Sequence, residues 1–234
     1  MSRDFLSSSE RRSFLTRLNA GFASMLAVSG IARAQAQQPP VTRWEPARHE
    51  KDDWLNKPGV KHRMVFDTTA ANGLGDALLF ASNYIQTQKR EYGLETSDLA
   101  VVIILRHRST SLAYTDAIWQ KYGVPLATRS KLEDPKTKEA PKVNLYNATG
   151  YGEAMPNRGT TLESLAKLGV TFAVCSSATR AFSSSIATAT GSKVDDIFAE
   201  LGANLITNGR LVPAGIIALN RAQEHGYSLA ACWG

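Results

Sequence analysis

Cysteine is scarce in this 234-residue chain; there are two, Cys175 and Cys232, so at most one internal bridge. Histidine is almost as rare. His49, His62, His107 and His225 show no paired ligand spacing, which gives no support to a metal site. No apolar run reaches the ~18–20 residues that a membrane-spanning helix needs. The G-x-S-x-G pattern of a serine hydrolase is missing, and "NGLGD" (72–76) lacks both the full dinucleotide fingerprint and the Walker spacing. No motif calls for a cofactor. A strong charge excess is also absent. The formal net charge is +6, but residues 1–36 hold five arginines against Asp4 and Glu10, so half of that excess lies in the first segment. The remainder is too mildly basic to point to nucleic acid.

What is present suits one globular core, at 43% hydrophobic and 21% charged residues. The first segment reads as an address. Arg11 and Arg12 precede Ser13-Phe14-Leu15, a mildly apolar stretch runs from Gly21 to Ala32, and Ala32-Arg33-Ala34 and Ala34-Gln35-Ala36 offer small-residue cleavage patterns. This resembles a twin-arginine export signal, with Glu10 and Thr16 as departures from the usual pattern. The expected domains are a signal peptide over 1–36, an irregular arm over 37–60 and an α/β domain over 61–234. The expected location is a bacterial periplasm, with no membrane contact after cleavage. Trp44 and Trp54 are candidates to pin the arm.

In the body, apolar segments alternate with helical spacing. Strands are expected at 61–67, 99–105 and 170–175, near 209–215, and at 227–233. "LAVVIIL" (99–105) is apolar throughout, as in a parallel strand covered on both faces. The helix after the first strand has Asn72 as a candidate cap and Gly93 as its stop. Residues 127–159 show little core periodicity and read as a surface loop, lid or assembly element. The alternation argues for a three-layer α/β/α sandwich with a mainly parallel sheet of about five strands.

Ligands of open α/β sheets bind beyond the carboxyl ends of the strands. Those ends carry Thr68, then Arg106-His107-Arg108, then Cys175-Ser176. A cation or a helix N-terminus beside a thiol favours the nucleophilic thiolate, so Cys175 is the candidate nucleophile and His107 the candidate proton shuttle. Arg106, Arg108, Arg180, Thr68 and Ser176 are candidate substrate-binding residues. Packing competes with this reading, because a cysteine ending an apolar strand is often plain core. So does a bridge to Cys232, the candidate redox partner. The two lie 57 positions apart, and closing so long a loop contributes roughly 3–4 kcal/mol in the loop-entropy model.

The order "MVFDTTAANGLGDALLFASNYI", "LAVVIILRHRSTSLAYTDAIW", "TLESLAKLGVTFAVCSSATRAF", "RLVPAGIIALNRAQEHGYSL" resembles the DsrE/DsrF-like family over about residues 61–230. The resemblance implies a five-stranded α/β sandwich assembled as trimers or hexamers. It also implies a role in sulfur relay, with Cys175 at the position of the persulfide-carrying cysteine and a small sulfur compound or anion as ligand. The Arg-His-Arg after the second strand and the long 127–159 segment depart from the short, glycine-containing loops of the best-known members. The alternative expectation is a non-catalytic anion-binding or assembly module on the same fold.

Overall fold

The computed structural model describes residues 44–234. The segment read as an export signal and the first residues of the arm lie outside the described residues. Pro46–Gly234 form one compact unit. Five strands, β1 (His62–Thr68), β2 (Leu99–Leu105), β3 (Thr171–Cys175), β4 (Gly209–Val212) and β5 (Ser228–Cys232), make one sheet in the order β4-β3-β2-β1-β5. Every pairing is parallel. Among the described residues the six α-helices are α1 (Ala71–Tyr92), α2 (Asp116–Ser130), α3 (Leu162–Lys167), α4 (Ser176–Thr190), α5 (Val194–Ala203) and α6 (Gly215–Glu224). The fold is an α/β/α sandwich.

All seven residues of β2 are buried, as its uninterrupted apolar run requires of a central strand. Strand side chains alternate between faces, and the two faces build two cores. Leu99, Val101, Ile103 and Leu105 join Phe172 and Val174 against Leu74 and Leu78 of α1, Trp119 of α2, Phe182 of α4 and Leu201 of α5. Ala100, Val102 and Ile104 join Val65 and Ala173 against Ala218, Leu219 and Ala222 of α6. The chain therefore leaves β3 towards the larger core and β4 towards the smaller one. Neighbouring strands whose connections depart to opposite faces leave a crevice at their carboxyl ends.

Part of the arm belongs to the second core. A 3-10 turn over Glu50–Leu55 buries Leu55 completely, a contribution of roughly 2 kcal/mol. The Arg210 guanidinium lies 4.7 Å from the Trp54 ring centre, and Arg63 Nη1 donates to Leu55 O at 2.7 Å.

The 127–159 segment, expected to be a surface loop, lid or assembly element, is irregular and largely exposed from Lys131 onward, but it begins in a helix and carries buried anchors. Its first residues complete α2, which continues past a kink at Tyr122 and through Pro125 to Ser130. Proline is tolerated in the first turn of a helical stretch, where its missing N–H is not needed. Further on, Leu145, Tyr146 and Met155 are buried. Asn144 Nδ2 donates to Leu112 O and Tyr114 O at 2.8 and 2.9 Å, and Tyr146 OH donates to Ala71 O at 2.7 Å. Single anchors at irregular intervals carry no periodicity for a sequence to display.

The glycines of "NGLGD" serve close packing. A Cβ at Gly73 would stand 2.1 Å from Cys232 O, and one at Gly75 would stand 2.7 Å from Tyr146 OH. Asn72 lies within the first turn of α1 instead of capping it, while Gly93 ends that helix at φ 65°.

Candidate functional site

β3 passes into α4 with no intervening residue, so Cys175 is both the last strand residue and the helix N-cap. The small residues of "SSAT" permit this direct turn. The Cys175 Sγ accepts from the Ala178 backbone N–H at 3.4 Å. Orphan N–H groups and the macrodipole favour negative charge at such a place. Below it, Tyr114 OH donates to Thr179 Oγ1 at 3.0 Å, and Thr179 Oγ1 donates to Cys175 O at 3.0 Å. Burial raises the Tyr114 hydroxyl above its ordinary value, against the opposing effect of Thr179, so it remains a neutral donor. This buried chain holds the cysteine backbone in place.

Cys175 is only 6% exposed, and it sits in the wall of a cleft of about 610 Å³. The cleft lies where β3 and β4 send their connections to opposite faces. Arg106, His107 and Arg108 line it from the end of β2, Arg129 from α2, Ser177, Ala178, Ala181 and Phe182 from α4, and Ala214, Gly215 and Ile216 from the start of α6. Two helix N-termini thus meet at one cleft. Ser177 Oγ donates to Pro213 O at 3.2 Å and ties them together.

The three arginines differ in what else they hold. Arg106 Nε and Nη2 donate to Asp67 Oδ1 and Oδ2 at 2.7 and 2.8 Å. Asp67 is fully buried and also accepts from Trp233 Nε1 at 2.8 Å. The hydrogen bonds to Asp67 raise the Arg106 guanidinium above its ordinary value despite partial burial, so its charge is present but matched. A Cβ at Gly215 would stand 2.5 Å from Arg106 Cβ, so only glycine lets α6 begin against this side chain. Arg108 and Arg129 have no carboxylate partner among the described residues. Arg129 lies over the Phe182 ring at 5.3 Å and donates to Ser185 Oγ at 3.2 Å.

His107 is exposed at the cleft and takes the left-handed backbone conformation, φ 57°, which is uncommon for a residue with a side chain. The backbone N–H groups of Arg106 and Arg108 donate to Thr68 O and Thr69 O at 3.3 and 3.0 Å and hold the turn. His107 Nδ1 lies 3.4 Å from Thr69 O.

Three of the residues expected to bind substrate stand elsewhere. Arg180 points out of the cleft: it pairs with Asp195 and lies over the Phe198 ring at 4.4 Å. Five residues beyond Cys175, about 1.4 helical turns, its side chain leaves on a different face of α4. Thr68 is fully buried, its hydroxyl donating to Ile104 O at 2.7 Å with Ser109 Oγ 2.9 Å away. Ser176 opens α4, but the cleft is lined by its neighbour Ser177.

Cys232 does not reach Cys175. It pairs in register with Thr68 of β1, Thr68 with Leu105 of β2, and Leu105 with Val174 of β3. Three strand spacings of about 4.8 Å put the two cysteines roughly 14 Å apart, whereas a disulfide needs Cα atoms within about 7 Å. Both thiols are free. Burial, reinforced by Asp76 and Asp67, pushes the Cys232 thiol up to about 11. A redox pair within one chain is therefore excluded by the strand order.

Arg129 and the start of α6 are the parts that sequence reasoning missed. Arg129 fell in the stretch without periodicity; the "PAG" before α6 was visible, but which strand it would adjoin was not. Among the described residues no group of three or more His, Cys, Asp and Glu side chains is placed to hold a metal, and no helix is long and apolar enough to cross a membrane.

Fold and cleft together define a parallel α/β/α sandwich with a cysteine at the topological switch point. Comparison with known protein families finds no match, and none of the curated proteins matches. Among solved structures, a protein of unknown function from Methanobacterium thermoautotrophicum, MTH1491, is similar at 15% identity and a TM-score of 0.38, over 73% of this chain and 99% of that one.

Proposed function

We propose that this chain is an exported sulfur carrier of the DsrE/DsrF-like kind, in which Cys175 accepts sulfane sulfur as a persulfide. The observation that carries the reading is the Cys175 Sγ as N-cap of α4, accepting from Ala178 N–H at 3.4 Å in the wall of an arginine-lined cleft. A thiolate is stabilised by such donors and cations, and incoming sulfur anions are drawn to the same groups. In the transfer, the Cys175 thiolate attacks the outer sulfur of R–S–SH. A new Sγ–S bond forms, the donor's S–S bond breaks, and R–S⁻ leaves with the electron pair. Cys175 then carries –S–SH, and no external oxidant is needed. In this reading His107, which lines the same cleft, takes or returns the proton. Arg180 and Cys232 have no part in the step.

The experiment is to expose the purified full-length protein to inorganic polysulfide, trap thiols and persulfides by alkylation, and map the products by mass spectrometry. The expected result is one added sulfur atom on Cys175, absent in Cys175→Ser and retained in Cys232→Ser. A Cys175 that alkylates freely yet never carries added sulfur would overturn the reading. The second reading, an anion-binding module, is favoured by Arg108 and Arg129, whose charges no described carboxylate matches. It requires anion binding that survives Cys175→Ser unchanged and no sulfur adduct in the wild type.

A further inference from the structure

The cleft is long, and its two unmatched charges are far from equivalent. Cys175 and Phe182 lie seven residues apart on α4, about 10 Å of helical rise. Arg129 sits over Phe182 and reaches Ser185, which is farther still along the same helix. Arg108 follows β2, the strand beside β3, and lines the cleft with Cys175. Between the thiol and Arg129 the wall is apolar, formed by Ala178, Ala181 and Phe182, with Ile216 also lining the cleft. Arg106 is matched by Asp67, so two guanidinium charges without a carboxylate partner among the described residues remain for a ligand.

Resting on the sulfur-carrier reading, the geometry points to a donor of a particular class: an organic persulfide with two carboxylates, long enough to place its sulfane sulfur at Cys175 and a carboxylate at Arg129. A single tetrahedral inorganic anion is too short to touch both. It would also leave the apolar wall and most of a 610 Å³ cleft unused, a volume in the usual range for an organic ligand. One carboxylate pairs with Arg108 and the other with Arg129, while the donor's carbon skeleton lies along Ala181 and Phe182.

The test compares single-turnover loading of Cys175 by three probes: glutathione persulfide with two carboxylates, cysteamine persulfide with none, and inorganic polysulfide. The full-length protein is used as wild type, Arg108→Gln, Arg129→Gln and the double variant. The expected result is loading from glutathione persulfide about tenfold faster than from cysteamine persulfide, the worth of two exposed charge-assisted contacts. The double variant should lose that advantage, its glutathione persulfide rate falling about tenfold more than its polysulfide rate, and an unchanged urea midpoint shows that it is folded. Equal rates for the two organic donors, or variants that slow all three probes alike, would overturn the inference and leave the sulfur-carrier reading standing. If no probe loads Cys175, the sulfur-carrier reading falls and this inference falls with it.

Discussion

Asp67 carries an uncommon load for a single side chain. It is fully buried and ionisable, and its two oxygens are satisfied by Arg106 and Trp233. A buried charge is tolerated only when paired and hydrogen-bonded. Removing one member leaves the other uncompensated, which typically costs 3–5 kcal/mol. Arg106 keeps some exposure, its side chain being 24% accessible, so the lower end applies. Asp67→Ala should destabilise the protein by about 3 kcal/mol in a urea titration, and Asp67→Ala/Arg106→Ala by less than the sum of the single changes. A loss within about 0.5 kcal/mol, the range of ordinary surface changes, would show that the pair does not hold the end of β1 to the start of the cleft.

Between elements, a tie joins α2 to α5 at the start of the helical run that carries Arg129. Lys121 Nζ and Tyr122 OH both donate to Glu200, at 2.6 and 2.7 Å, and Tyr122 stands at the kink of α2, after which the helix runs on to Arg129. Burial would raise the Glu200 carboxyl, but the bonds from Lys121 and Tyr122 outweigh it and hold the group below its ordinary value of 4.5. A depressed carboxyl contributes stability above that ordinary value and loses it as the pH falls through the folded-state value. Wild-type stability should therefore drop more between pH 7 and pH 3 than that of Glu200→Gln, as read by urea midpoints at both pH values. Identical losses in the two proteins would show that this contact is not part of the acid response.

For the whole molecule, the parallel sheet brings every strand's carboxyl end to one edge. This is why residues as distant in the chain as Arg106, Cys175 and Gly215 share a cleft. The same strand order holds Cys232 three strands away from Cys175, so in an oxidising compartment the fold leaves Cys175 without an internal thiol to pair with. That matters because the proposed location is the periplasm. Arg11→Lys/Arg12→Lys in the full chain should leave uncleaved precursor in the cytoplasm of a bacterial host, followed by fractionation and immunoblotting. Light scattering of the exported wild type should then read a trimer or hexamer. Equal export of the variant would overturn the twin-arginine reading, and a monomer would overturn the assembly.

Much of the fold was legible because its signals are local. The apolar run of β2, the helical spacing of α1 and the alternation of strand and helix each reflect burial acting over a few neighbouring residues. Within the candidate site, Cys175, Arg106, His107 and Arg108 were legible for the same reason: each ends or closely follows a strand, and the ends of parallel strands are where ligands bind. Arg180 and Arg129 mark the limit. Both follow from helix geometry and packing, which turned Arg180 outward to Asp195 and carried α2 through Pro125 to set Arg129 on Phe182. The sequence by itself determined the layers, the strands and the cysteine at a strand end. Only the tertiary structure decided which strands adjoin, and with that the separation of the two cysteines, the neutralisation of Arg106 by a buried Asp67 and the two charges left open in the cleft. Strand order and charge pairing are long-range contacts, which local periodicity does not encode.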